Sequence, residues 1–262
     1  MSRIKLLLFL SRIESTYLRL RVYAHYEGLL RAGMAAAAHI LAWLGLDALK
    51  KYRWDAWLDD ALGLATSGVV ARQNLRMDAS IRDHAVAYMP TPPFEFRHAM
   101  SALRIQCDRY RFIDYGSGKG RVLLLASEFP FIEIRGVEAD KLLHDIACRN
   151  IAAFPRDRMA CRKVVSICMN AAEWTPPTGP LVAFMCNPFD QIILAPVLRQ
   201  ISSATGHVPQ TSYIIYKNPV HHKTVLSDGN FSCIENLLGG SLLIYKTTDI
   251  RQVGGWKSEI SR

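Results

Sequence analysis

Residues 111–121 read RFIDYGSGKGR, and their reading decides the fold. Phe112 and Ile113 close an apolar, strand-compatible run, Asp114 ends it, and Gly116-Ser117-Gly118-Lys119-Gly120 follows. The next residues, VLLLASEF, form helices well. The order is therefore strand, glycine turn, helix. Glycine has no Cβ and tolerates positive φ, so such a turn lets backbone approach a ligand closely. A phosphate-cradling P-loop needs G-x-x-x-x-G-K-[ST]. Here Gly120 follows Gly118-Lys119, and Ile113 stands where the first glycine belongs. The dinucleotide fingerprint G-x-G-x-x-G fails too, because the third glycine comes one residue early.

A third pattern, D-x-G-x-G-x-G, fits Asp114, Gly116, Gly118 and Gly120. In this the chain resembles the class I S-adenosylmethionine-dependent methyltransferases. The resemblance implies an α/β, Rossmann-like sheet, mostly parallel, seven-stranded, with the last strand antiparallel, here behind an N-terminal helical extension. It implies S-adenosylmethionine as cofactor, with Asp114, Gly116, Ser117, Gly118 and Gly120 beneath its methionine part. A glycine-rich turn without ligand is the plain alternative.

The pattern downstream alternates strand and helix, as a parallel sheet with crossovers requires. Strands are expected at 111–115, 132–138, 161–168, 181–186 and 212–217, and helices at 119–128, 141–154 and 191–203. FSCIENLL and SLLIYKTT flank Gly239-Gly240 as a hairpin. In open α/β sheets, ligands bind beyond the carboxyl ends of the strands. Glu138 ends the second strand, and an ionised carboxylate there can accept both hydrogens of a ribose diol. Asp140 reads as the N-cap of the following helix. After the third strand stand Asn170 and Ala171; the family usually has Asp at the first of these, contacting the adenine amino group, and Asn retains an acceptor oxygen. After the fourth strand stand Asn187-Pro188-Phe189. They resemble a shortened [Asn/Asp/Ser]-Pro-Pro-aromatic motif of amino-group methyltransferases, which implies that Asn187 and Pro188 orient the target nitrogen and Phe189 packs on the substrate. A plain Asn-Pro turn is the alternative. His221-His222, without a third ligand, read as loop residues.

Upstream, YMPTPP (88–93) cannot lie inside a helix or a central strand. A helix of about 94–107 should follow it. The segment is similar to an element of some lysine methyltransferases without a SET domain that covers the cofactor, which would put Tyr88 and Thr91 at the site; a rigid linker is the equal alternative. Residues 59–87 read as a linker packed on the catalytic domain. The Leu62–Gly68 segment is loosely similar to one in several bacterial methyltransferases. Residues 1–58 read as two helices, about 3–30 and 32–52. The expected division is thus 1–87 as helical extension, 88–250 as methyltransferase domain and 251–262 as polar tail.

The chain has 262 residues, half of them hydrophobic, and a formal net charge of +9, enough apolar matter for a sizeable core. The basic balance suits nucleic acid, an anionic membrane surface or an acidic partner. The N-terminus lacks a convincing signal sequence. The apolar stretch 32–46 falls short of the roughly 20 residues that span a bilayer, which leaves a buried or membrane-surface helix. The six cysteines form no C-x-x-C, and no His pair has zinc spacing, so neither disulfide nor metal site is expected, in keeping with a cytoplasmic setting. The expected activity is methyl transfer to nitrogen, with protein lysine favoured over a nucleic-acid base or small molecule. A non-catalytic cofactor-binding module and a nicotinamide-dependent oxidoreductase are the other classes.

Overall fold

The computed structural model describes residues 16–43, 57–206 and 210–248. Its centre is a seven-stranded sheet: β1 (Arg111–Tyr115), β2 (Glu133–Glu138), β3 (Val164–Cys168), β4 (Leu181–Cys186), β5 (Tyr213–Lys217), β6 (Phe231–Leu237) and β7 (Leu242–Thr247). The strand order is β3-β2-β1-β4-β5-β7-β6. β1 to β5 pair in parallel, and β7 enters antiparallel between β5 and β6. This is the mostly parallel sheet with an antiparallel last strand that the D-x-G-x-G-x-G resemblance implied. The reversal of strand order falls between β1 and β4, where open sheets bind ligands.

Side chains alternate between two cores, as the period of a strand dictates. Phe112, Phe184, Ile215 and Ile244 face one core. Ile113, Met185, Ile214 and Tyr245 face the other. β1 and β4 are covered on both faces, which is why they read as near-continuous apolar runs. The first core is closed by α5 (Pro93–Leu103) and α6 (Arg121–Ser127), through Phe96, Met100, Leu123 and Leu124. α7 (Lys141–Ala153) packs beside α6, against β2 and β3. On the second face lie α8 (Gln191–Thr205) and α9 (His222–Ser227), through Leu194, Val197, Leu198 and Val225.

Ahead of the sheet come α1 (residues 16–27), α2 (Leu29–Trp43), α3 (Trp57–Leu62) and the single turn α4 (Ala79–Arg82). The break between α1 and α2 falls at Gly28, whose φ is +87°. The helix expected to run to residue 30 therefore stops at 27, and the next begins at Leu29 rather than 32. α1 docks on α5. Tyr23 meets Phe94 edge to face at 5.1 Å, Glu27 pairs with Arg97, and Arg19 and buried Lys217 both pair with Glu95. Two further boundaries move. The helix expected over 94–107 ends at Leu103, because Arg104 takes a left-handed conformation at φ +50°. β3 begins at Val164 rather than 161, since Ala160 and Cys161 give their amides to Ser127 O at the end of α6. No described helix is long and apolar enough to cross a membrane. The beginning of the first expected helix, the end of the second and the polar tail lie outside the described residues.

Candidate functional site

The glycine turn after β1 is folded tightly on itself and on β2. Gly116 and Ser117 donate their amides to Val137 O, at 2.9 and 3.2 Å, and Gly120 donates to Ser117 O at 2.9 Å. The Gly118 amide donates to Glu138 Oε2 at 2.7 Å. Two of these positions admit only glycine. Gly116 has φ +71°, and a Cβ there would stand 2.2 Å from the Cβ of Pro188. Gly118 has φ +54°, and a Cβ there would fall 2.2 Å from ring carbons of Tyr88. Gly120 packs against Ala147 of α7. The amides of Gly116, Ser117 and Gly118 are thus engaged by β2, and that of Gly120 within the turn.

Two acids stand under this turn. Glu138 accepts from the amides of Gly118 and of Asp140, the latter at 2.9 Å. Burial pushes its carboxyl up to about 7, against the pull of these two hydrogen bonds. Asp114 is 3% exposed. Its carboxyl is held well above the usual carboxylate range, first by burial and then by the neighbouring charge of Glu138. Ser117 Oγ is buried without a hydrogen-bond partner among the described residues. Asp140 caps α7 by accepting from Leu143 N at 2.7 Å, and its other oxygen accepts from Arg76 N.

Residues 66–89 cover the site. Tyr88 lies on Gly118, donates its hydroxyl to Thr66 O at 2.6 Å and pairs its backbone with Val70. Lys119 donates to Ser67 O at 2.6 Å and sits over the Tyr88 ring at 5.2 Å. Arg121 is buried at the start of α6. It donates to Thr66 Oγ1 at 2.7 Å and Ser67 Oγ at 2.9 Å, and pairs with Asp59. This segment anchors to the carboxyl edge of β4 as well: Val86 N donates to Pro188 O at 3.0 Å, Asp190 N to His84 O at 2.9 Å, and His84 Nδ1 to Asp190 Oδ2 at 2.8 Å.

Between this cover and the strand ends lies a cleft that opens to solvent. Asp114, Gly116, Ser117 and Glu138 line it on the side of β1 and β2. Asn170 and Ala171 line it beyond β3, and Tyr88, Thr91, Pro188 and Phe189 beyond β4. Three expected residues do not. Gly118 lies beneath Tyr88, and Gly120 faces α7. Asn187, at φ +44°, accepts at its side-chain oxygen from Tyr216 Oη at 3.2 Å. Of the expected pair of nitrogen-orienting acceptors, Asn187 Oδ1 accepts from Tyr216 and Pro188 O from Val86, one bond each. At the far end, Asn170 Oδ1 accepts from Ala172 N and its amide donates to Glu173. His222 Nδ1 meets Tyr245 Oη at 2.6 Å, away from the cleft.

No protein-family model and no curated protein matches the sequence. Solved structures do. A ribosomal protein L11 methylase from Lactobacillus delbrueckii subsp. bulgaricus is 11% identical over 59% of this chain and 77% of its own, with a TM-score of 0.45. A glycopeptide N-methyltransferase, MtfA, complexed with sinefungin is 10% identical over 60% of this chain and 85% of its own, at 0.47. A SAM-dependent methyltransferase from Geobacter sulfurreducens in complex with S-adenosyl-L-homocysteine is 16% identical over 55% and 65%, at 0.41.

Sequence reading missed most of the cover. Leu75, Met77, Ile81 and Val86 line the cleft from a stretch taken for a linker. The signal was faint: apolar residues spaced without helical or strand period among polar ones. Among the described residues no group of three His, Cys, Asp or Glu gathers as a metal site.

Proposed function

We propose that this chain is an S-adenosylmethionine-dependent methyltransferase acting on nitrogen, with a protein lysine as the favoured acceptor. One observation carries the cofactor reading: two buried acids and an orphaned serine hydroxyl meet in one cleft at the point where strand order reverses. Buried carboxyls with raised pKa values favour a ligand that brings positive charge and hydrogen-bond donors. Glu138 would accept the two hydroxyls of a ribose, Asp114 and Ser117 Oγ would take an ammonium group, and Asn170 and Ala171 would border the adenine. The cofactor's sulfonium supplies the electrophilic methyl group.

The chain's own work is then to position and to desolvate. Val86, Met89, Phe189 and Ile193 give the β4 side of the cleft an apolar wall. Such a wall fits the alkyl stem of lysine and lowers the pKa of its amine, exposing the lone pair. Pro188 O keeps a second lone pair for the amine beside the one given to Val86. A nucleic-acid base is the weaker reading: the surface is basic, but the cleft holds two acids, and the cation that lines it among the described residues, Arg121, pairs with Asp59. We take residues 57–248 as the functional unit, upstream of the expected boundary at 88, because Leu58 and Leu64 belong to the core and residues between Leu75 and Tyr88 line the cleft.

The test is incubation with methyl-labelled cofactor and a lysate fractionated into protein, nucleic acid and small molecules. Label in protein, released as methyl-lysine on hydrolysis, is the expected result. Label confined to nucleic acid overturns the acceptor, and absence of calorimetric heat with S-adenosylhomocysteine overturns the cofactor.

A further inference from the structure

The segment from Arg76 to Tyr88 crosses the whole cleft. At one end Arg76 N is tied to Asp140, the cap of α7. At the other Tyr88 is tied to Val70. Met77 and Ile81 face Asn170 beyond β3, whereas Ala85 and Val86 face Pro188 and Phe189 beyond β4. A nucleoside lying across the strand tops is therefore roofed along its length. Among the described residues, a single bond between side chains ties this strap to the loop after β4: His84 to Asp190. A carboxylate has no hydrogen to give, so Nδ1 is the donor. Asp190 is fixed in turn, because its other oxygen caps α8 by accepting from Ile192 N at 2.9 Å. Both side chains are about one-third exposed, so water can compete for this bond as it cannot for those beneath Tyr88.

We propose that His84 is a positioning residue: through Asp190 it clasps the strap over the cleft, and opening of this clasp sets how fast a cofactor-like ligand leaves. The identity of the ligand rests on the methyl-transfer reading; the clasp itself does not. The backbone bonds Val86 N to Pro188 O and Asp190 N to His84 O hold the strap's register, and the side-chain bond holds it shut. The cap on α8 makes Asp190 a poor residue to change, so the test falls on His84.

His84→Ala is compared with the unaltered chain and with His84→Asn, whose amide replaces the Nδ1 donor. Displacement of S-adenosylhomocysteine in stopped flow should be about fivefold faster in His84→Ala, the effect of one exposed charge-assisted hydrogen bond, and restored to within about twofold in His84→Asn. Amide exchange of the ligand-free protein should quicken in 76–88 and 189–190 and stay unchanged in β1 and β4. Equal displacement rates with equal exchange overturn the clasp, and faster exchange throughout the molecule overturns it as well, since that is general destabilisation. If no variant takes up S-adenosylhomocysteine, the cofactor reading falls and local exchange alone decides whether His84 holds the strap.

Discussion

The ring of Tyr88 occupies the space that a side chain on Gly118 would need: its ring carbons lie 2.2 Å from the position of that absent Cβ. Gly118→Ala should therefore destabilise the protein by about 2 kcal/mol or more, from left-handed strain at φ +54° plus displacement of the ring. Tyr88→Ala removes the obstruction but not the strain. A double-mutant cycle in urea should thus show the pair costing less together than the sum of the two, because they share one contact. Strict additivity would sink this account.

Glu138 gives a pH dependence whose sign follows from its environment. Its carboxyl lies at about 7 in the folded protein against an ordinary 4.5, so the folded state binds more protons between those values. The contribution of Glu138 to the stability of the ligand-free protein is then greatest below 4.5 and falls as pH rises to about 7, by up to about 3 kcal/mol. Asp114, also raised, acts in the same direction. Urea unfolding at pH 5 and pH 8 measures it, and Glu138→Gln should flatten the difference. Ligand affinity should run the opposite way, because a ribose diol needs the ionised carboxylate. S-adenosylhomocysteine should bind up to about tenfold tighter per pH unit as pH approaches 7 from below, and the glutamine variant should lack this step.

Arg121 and Asp59 join the cover to the start of α6. Asp59 also accepts from Thr66 Oγ1 and Ser67 N, so its loss takes the carboxylate from beside a buried guanidinium and the acceptor from two donors. Asp59→Ala should cost about 3 kcal/mol in denaturant unfolding. A loss below about 1 kcal/mol would mean that the pair is not buried in solution.

Asn187 offers a test of the acceptor reading. Its φ of +44° suits glycine, so Asn187→Gly removes the amide without adding strain. S-adenosylhomocysteine affinity should stay within about twofold, while label transfer to lysate protein should fall at least about tenfold. Unchanged transfer would show that the amide belongs only to Tyr216.

What the sequence revealed and what it hid divide along chain distance. The turn around Gly116 and Gly118, the acid Glu138 and the cap Asp140 were legible, since each obeys a local rule of strand end, turn or helix start. The antiparallel place of β7 came through family resemblance, not from its own residues. The cover was hidden because its bonds are remote: His84 and Asp190 are 106 residues apart, and Arg76 and Asp140 are 64. No periodicity records such partners. Arg121 was hidden differently. A basic residue heading an apolar helix reads as a surface charge until Asp59 and Thr66 are brought over it. Asn187 and Pro188 were legible as hydrogen-bond acceptors at a strand end, but the neighbours that engage them, Tyr216 and Val86, lie on other elements.

The antiparallel insertion bears on how the molecule is made. β7 sits between β5 and β6 yet follows both along the chain. While synthesis proceeds, β5 has a partner on one side only, and β6 has none. A ribosome that stalls before Leu242 therefore releases a product with a raw flank of unpaired amides and carbonyls, the kind that recruits strands from other molecules. Nascent chains of this protein should be most prone to clump just before their final hairpin emerges.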